Sequence, residues 1–223
     1  MLEGKKIIVT GSASGMGQAT LKAYVKAGAN VVGMDISDDK GKDISTNANN
    51  HGPGTCSFIH IDVSDEDSVK NAFYLALEEL KTLDVLAHPA AIQGPADASS
   101  VKVEDWDNMF AVNVRGTMLT NQNAFKYMKK NGSGSIINFG SISGLRPEPS
   151  ASAYSAAKGA VHSWTRTAAG TWGKHDIRVN AILPAIATPM YYAARERSTD
   201  EENTVAHWRN SVPIALGLSL IHI

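Results

Sequence analysis

Short apolar runs alternate with longer amphipathic stretches along this chain, and no other feature restricts the fold as much. Lys6–Thr10, Asn30–Asp35, Cys56–Ile61, Leu83–Ala87, Gly134–Phe139 and Arg178–Leu183 have the length and β-branched content of buried strands. Between them, Gly15–Ala27, Asp38–Asn50, Asp65–Leu80, Val103–Lys129 and Ala153–Gly173 read as helices. In the third of these Val69, Phe73, Ala76, Leu77 and Leu80 recur at helical spacing. Ser64, followed by Asp65, Glu66 and Asp67, supplies an N-cap and an acidic first turn there. Strands joined by helical crossovers pair in parallel, and a parallel sheet must be covered on both faces. The pattern predicts an α/β fold, a doubly wound parallel sheet in three layers. The 223 residues fit one domain, without repeat or linker.

Composition removes several functional classes. Lys plus Arg total 21 against 22 for Asp plus Glu, so no excess charge draws the chain to nucleic acid or an anionic membrane. No apolar stretch approaches the roughly 20 residues that span a bilayer, and no signal peptide is visible, so a cytoplasmic location is expected. Cys56 is the lone cysteine and lies in an apolar-rich run, where it reads as a small core residue. The sequon at Asn131-Gly-Ser133 is taken as chance. No metal site is expected.

The first strand runs into Thr10-Gly-Ser-Ala-Ser-Gly-Met-Gly17, which opens the first helix. A pyrophosphate needs backbone close by and gains from the amides and dipole of a helix N-terminus. Gly11 would make the tight turn, Gly15 would permit close approach, and Gly17 would let helix and strand pack. Asp35 closes the second strand, 18 residues after Gly17. Its carboxylate can accept bonds from both hydroxyls of an adenosine ribose. It would repel a 2′-phosphate by roughly 4 kcal/mol at about 4 Å and an effective dielectric of 20. No Arg or Lys adjoins Asp35 or follows Gly11 to offset that, so NAD is expected and NADP less so. Asp38 and Asp39 read only as the start of a turn.

Tyr154 and Lys158 stand four apart on one helical face. A tyrosine titrates near 10, and a neighbouring ammonium favours its phenolate, which would let the pair trade a proton with an alcohol or a carbonyl. Tyr and Lys at this spacing are common on helices. The surrounding motifs supply the rest. From Lys5 to about Gly217 the sequence resembles the simple, single-domain short-chain dehydrogenases/reductases. It carries their glycine pattern at Thr10–Gly17, Asp62-Val63 at the end of the third strand, and Asn113-Val-Arg-Gly116. It also carries Ser141, thirteen residues before Tyr154, and Tyr154-Ser-Ala-Ala-Lys158.

The resemblance implies a Rossmann-type fold and an NAD(H)-dependent oxidoreductase that interconverts a secondary alcohol and a carbonyl. Tyr154 would be the acid/base, and Lys158 would hold the nicotinamide ribose and lower the Tyr154 pKa. Ser141 would bond the substrate oxygen, and Asn113 would hold a water in a proton relay. Gly11, Ser14, Gly15, Met16, Gly17, Asp35, Asp62, Val63, Ala90, Tyr154, Lys158, Pro184, Ile186 and Thr188 would contact the cofactor. A homodimer or homotetramer would pair through Val103–Lys129 and Ala153–Gly173. The alternatives are an NADPH-dependent 3-oxoacyl-type reductase and an inactive fragment that still binds cofactor.

Three segments depart from the family pattern. His88-Pro-Ala-Ala91 stands where the family has Asn-Asn-Ala-Gly, so His88 reads as a structural substitute and Pro89 removes a donor. Pro184-Ala-Ile-Ala-Thr188 lacks a glycine. Past Gly217 the family continues with a helix and a seventh strand, whereas here Leu218-Ser-Leu-Ile-His-Ile223 matches the translation of a transposon end used in sequencing libraries. The expected domain is therefore 1–217, incomplete at its C-terminus and lacking the seventh strand, with 218–223 a non-native tail. Selectivity for a small-molecule substrate is expected from Gly94–Asp97, Leu145–Pro149 and a lid at Met190–Trp208. Arg146 reads there as an exposed loop charge.

Overall fold

The computed structural model describes residues 2–148 and 150–184. Strands β1 (Lys6–Thr10), β2 (Asn30–Asp35), β3 (Thr55–His60), β4 (Val85–His88), β5 (Gly134–Phe139) and β6 (Ile177–Ile182) form one parallel sheet in the order β3-β2-β1-β4-β5-β6. The order reverses between β1 and β4, and at such a switch point a crevice opens at the C-terminal ends of the strands. Helices α1 (Gly15–Lys26) and α2 (Asp38–Asn49) cover one face. Helices α3 (Glu66–Leu80), α4 (Val103–Phe110), α5 (Gly116–Asn131) and α6 (Ser152–Trp172) connect the remaining strands.

Strand alternation explains the layers. Ile7 and Val9 point to α1 and α2, where they meet Leu21, Val25 and Ala48. Ile8, between them, points the other way and joins Phe73, Leu77, Leu119, Ala124 and Met128 from α3 and α5. Ile8 and Phe73 are fully buried, as expected of a strand covered on both sides.

The structure corrects the sequence reading at several points. The cap of α3 is Asp65, not Ser64: Asp65 accepts the Ser68 amide, while the Ser64 hydroxyl is spent on Asp62 Oδ1 at 2.7 Å. The helix expected across Val103–Lys129 is two helices joined by a π-helical turn over Ala111–Arg115. Asp38 and Asp39 form the first turn of α2, in keeping with the helix expected over Asp38–Asn50 and not with the reading of these two residues as only the start of a turn. Strands β3, β4 and β6 are displaced by one or two residues from the predicted spans. The expected lid and non-native tail, and the C-terminal end at which the seventh strand is expected to be lacking, fall on 185–223, outside the described residues. Among the described residues no helix is long and apolar enough to cross a membrane.

Candidate active site

The glycines after β1 lie where backbone must approach backbone. Gly11 (φ +59°) would place a Cβ 2.8 Å from the Ala90 backbone, and Gly17 would place one 1.9 Å from the Gly11 carbonyl oxygen. Neither gap admits a methyl group. Ser14 is the N-cap of α1 in extended conformation, and its side chain does not cap the helix. The first-turn amides are thus left for a ligand at the positive end of the helix dipole.

These residues line a cleft of about 290 Å³. Gly11, Ser14, Gly15, Met16, Gly17, Asp35, Asp62, Val63 and Ala90 all face it. Asp35 is fixed by two backbone amides: Oδ2 accepts Ala13 N–H at 2.9 Å and Oδ1 accepts Ser37 N–H at 3.0 Å. Asp62 is fixed by Ser64, whose amide it accepts at 2.8 Å. A dinucleotide fits these residues: a cradle closed to any side chain, bare helix amides, and a carboxylate about one strand away. The sequence reading missed Ile36, Ile61, Ile92 and Val112 as lining. Ile36 had a recoverable signal, being an apolar residue directly after Asp35, and it is 62% exposed beside the cleft. Pro184 is described but is not among the lining residues, and Ile186 and Thr188 lie outside the described part.

The second cluster sits at the ends of β5 and α6. The Ser141 hydroxyl acts on the Tyr154 phenol as a nearby polar group and accepts the Ser143 amide at 3.2 Å. Lys158 is buried, donates to the Phe139 carbonyl at 2.7 Å, and holds its ammonium 5.6 Å from the Tyr154 ring centre. Burial pulls the Lys158 ammonium down to about 8. Burial pushes the Tyr154 phenol up, opposed by the Ser141 hydroxyl. The Lys158 ammonium lies over the ring and gives its short bond to Phe139 O.

Asn113 is buried in the π-helical turn, and its amide clasps the backbone of Ile92 with two bonds of 2.8 Å. An inserted residue in a helix redirects side chains, and such bulges concentrate at functional sites. Here it aims Asn113 at the loop after β4 while Arg115 grips the Ser64 carbonyl at 2.9 Å. His88 is 2% exposed, with Nδ1 2.8 Å from Thr10 Oγ1 and 3.3 Å from Thr120 Oγ1. Burial, with the Lys158 charge in support, brings its pKa down to about 3, so it is a neutral strut between β1 and α5. The Gly94–Asp97 loop is tied to the start of α6 by Ala96 N–H to Ser150 O and Ser152 N–H to Ala96 O. Among the described residues no group of His, Cys, Asp and Glu is arranged to hold a metal.

Residues 5–199 match the family described as short chain dehydrogenase. Momilactone A synthase of Oryza sativa subsp. japonica is 37% identical over 213 residues, covering 94% of this chain and 76% of that protein. Cyclopentanol dehydrogenase of a Comamonas species is 35% identical over 187 residues, covering 83% and 74%. The crystal structure of gox2181 superposes with a TM-score of 0.89 at 27% identity, over 95% of this chain and 82% of that one. With the glycine cradle and the Ser141, Tyr154 and Lys158 cluster, these likenesses establish that the chain is an oxidoreductase of the short-chain dehydrogenase family.

Proposed function

We infer that the protein interconverts a secondary alcohol and a carbonyl with NAD(H). The observation that carries this reading is the buried Lys158 ammonium 5.6 Å from the Tyr154 ring centre, with the Ser141 hydroxyl acting on the same phenol. The cofactor supplies a hydride acceptor for oxidation or a hydride donor for reduction. Tyr154 Oη handles the accompanying proton: it gives one to a carbonyl oxygen or takes one from an alcohol. Ser141 Oγ, beside that phenol, holds the same substrate oxygen as charge develops on it. The raised phenol is protonated at neutral pH, which suits it as an acid toward a carbonyl. Lys158 would hold the nicotinamide ribose, and Asn113 would keep a proton path to solvent.

Asp35 supports NAD over NADP, because two backbone amides hold its charge at the ribose end of the cleft. The relative named for cyclopentanol favours a small cyclic alcohol as the first substrate to try. A cytoplasmic setting and a homodimer or homotetramer belong to the same reading. The test is Tyr154→Phe with cyclopentanol and NAD+. Turnover should fall at least about 100-fold, the lower end for lost acid–base catalysis, while the NADH dissociation constant stays within about twofold. Retained turnover refutes the role of Tyr154.

A further inference from the structure

His162 lies one helical turn beyond Lys158 on α6 and has no part in the chemistry above. Its ring is 6% exposed. Nε2 accepts the Ser141 amide at 3.2 Å, and Nδ1 is buried without a partner among the described residues. The loop that carries Ser141 is shaped around this ring. A Cβ at Gly140 would lie 2.3 Å from His162 Nε2, and one at Gly144 would lie 2.9 Å from His162 Cε1. Gly140 therefore makes room for the imidazole, while a Cβ at Gly144 would first meet the α6 backbone at Lys158 and Gly159, 2.7 Å away. Lys158 holds the same loop at Phe139 O, two residues before Ser141. Successive turns of α6 grip both ends of the Phe139-Gly-Ser141 step.

We propose that His162 is a positioning residue for Ser141. Its neutral Nδ1–H tautomer offers Nε2 as the acceptor that fixes the Ser141 amide, and so the hydroxyl facing Tyr154. A ring that merely filled space would tolerate any side chain of similar bulk. A ring that positions Ser141 needs an acceptor at the place of Nε2. Leu supplies bulk without an acceptor, and Gln can bring its carbonyl oxygen to that place.

The inference rests on the alcohol-oxidising reading for its kinetic arm, which uses cyclopentanol and NAD+ with the full chain. His162→Leu should lower kcat roughly tenfold, as expected for one lost positioning bond, with NADH affinity unchanged. His162→Gln should recover to within about threefold of the parent. On a Ser141→Ala background, His162→Leu should add less than about twofold, because its effect passes through Ser141. Additive losses, or Gln no better than Leu in folded protein, overturn the proposal. The second arm needs no turnover: nitrogen-detected NMR of the imidazole reads which ring nitrogen carries the proton. A proton on Nδ1, with the Ser141 amide resonance displaced in His162→Leu and restored in His162→Gln, supports the proposal. A proton on Nε2 overturns it, even if His162→Leu fails to fold. A parent chain inactive on cyclopentanol counts against the substrate reading and leaves the tautomer result standing.

Discussion

Asp35→Asn removes one charge from the mouth of the cradle while keeping the backbone around it satisfied. The buried Ala13 amide can still donate to the Asn carbonyl oxygen, and the Ser37 amide is exposed enough to turn to water. The fold should therefore lose little. The cofactors respond in opposite directions. A 2′-phosphate about 4 Å from the carboxylate is repelled by roughly 4 kcal/mol at an effective dielectric of 20. The cleft is open and Asp35 is partly exposed, so screening leaves about 2 kcal/mol, or about 30-fold in affinity. NADH loses a charged acceptor for its ribose hydroxyls and keeps a neutral one, worth about 1 kcal/mol or fivefold. The ratio of the NADPH and NADH dissociation constants should fall roughly 150-fold, the product of those two factors. Parallel fluorescence titrations of parent and variant with each reduced cofactor measure it. A ratio that moves less than about threefold, or a parent that already prefers NADPH, refutes the electrostatic argument.

Gly17→Ala drives a methyl against the Gly11 carbonyl 1.9 Å away, so the fold should lose about 1–3 kcal/mol in urea unfolding and bind NADH more weakly. Unchanged affinity would show that the first turn of α1 does not hold the cofactor. His88 is held near 3 in the fold, so its unfolded form takes up a proton first as pH falls below 6.5. That group should remove stability at roughly 1.4 kcal/mol per pH unit below 6.5, and His88→Asn should flatten this acid limb in pH-dependent unfolding. Lys158 has the opposite window: the unfolded chain keeps its proton up to 10.5 while the folded one releases it near 8. The fold should gain on the order of 3 kcal/mol relative to Lys158→Met as pH rises through that interval, and equal slopes would contradict the burial argument.

The parts of the site that depend on residue type at fixed spacing were legible in the sequence. Gly11, Gly15 and Gly17 after a strand, Asp35 at the end of the next, and Tyr154 with Lys158 four apart all face where their order implied. What escaped was set by competition and by tertiary packing. Ser64 and Asp65 are both good caps, and only the claim of Asp62 on the Ser64 hydroxyl decides between them. The direction of the Tyr154 shift depends on how deeply the phenol is buried, which no spacing encodes. His162 is invisible as a partner of Ser141 because 21 positions separate them and only the loop geometry joins them.

The wide turn at Ala111–Arg115 works like a phase offset between two gears. A helix advances about 100° per residue, so one residue added there rotates all of α5 relative to α4. That rotation lets Met109 face one cluster while Leu119, Ala124 and Met128 face another, with Asn113 turned between them to the Ile92 backbone. Regularising the segment by removing one residue would mesh the hydrogen-bond ladder and put either the core or the clasp out of phase. The segment should therefore forgive exchanges of side chain far more readily than any change of length.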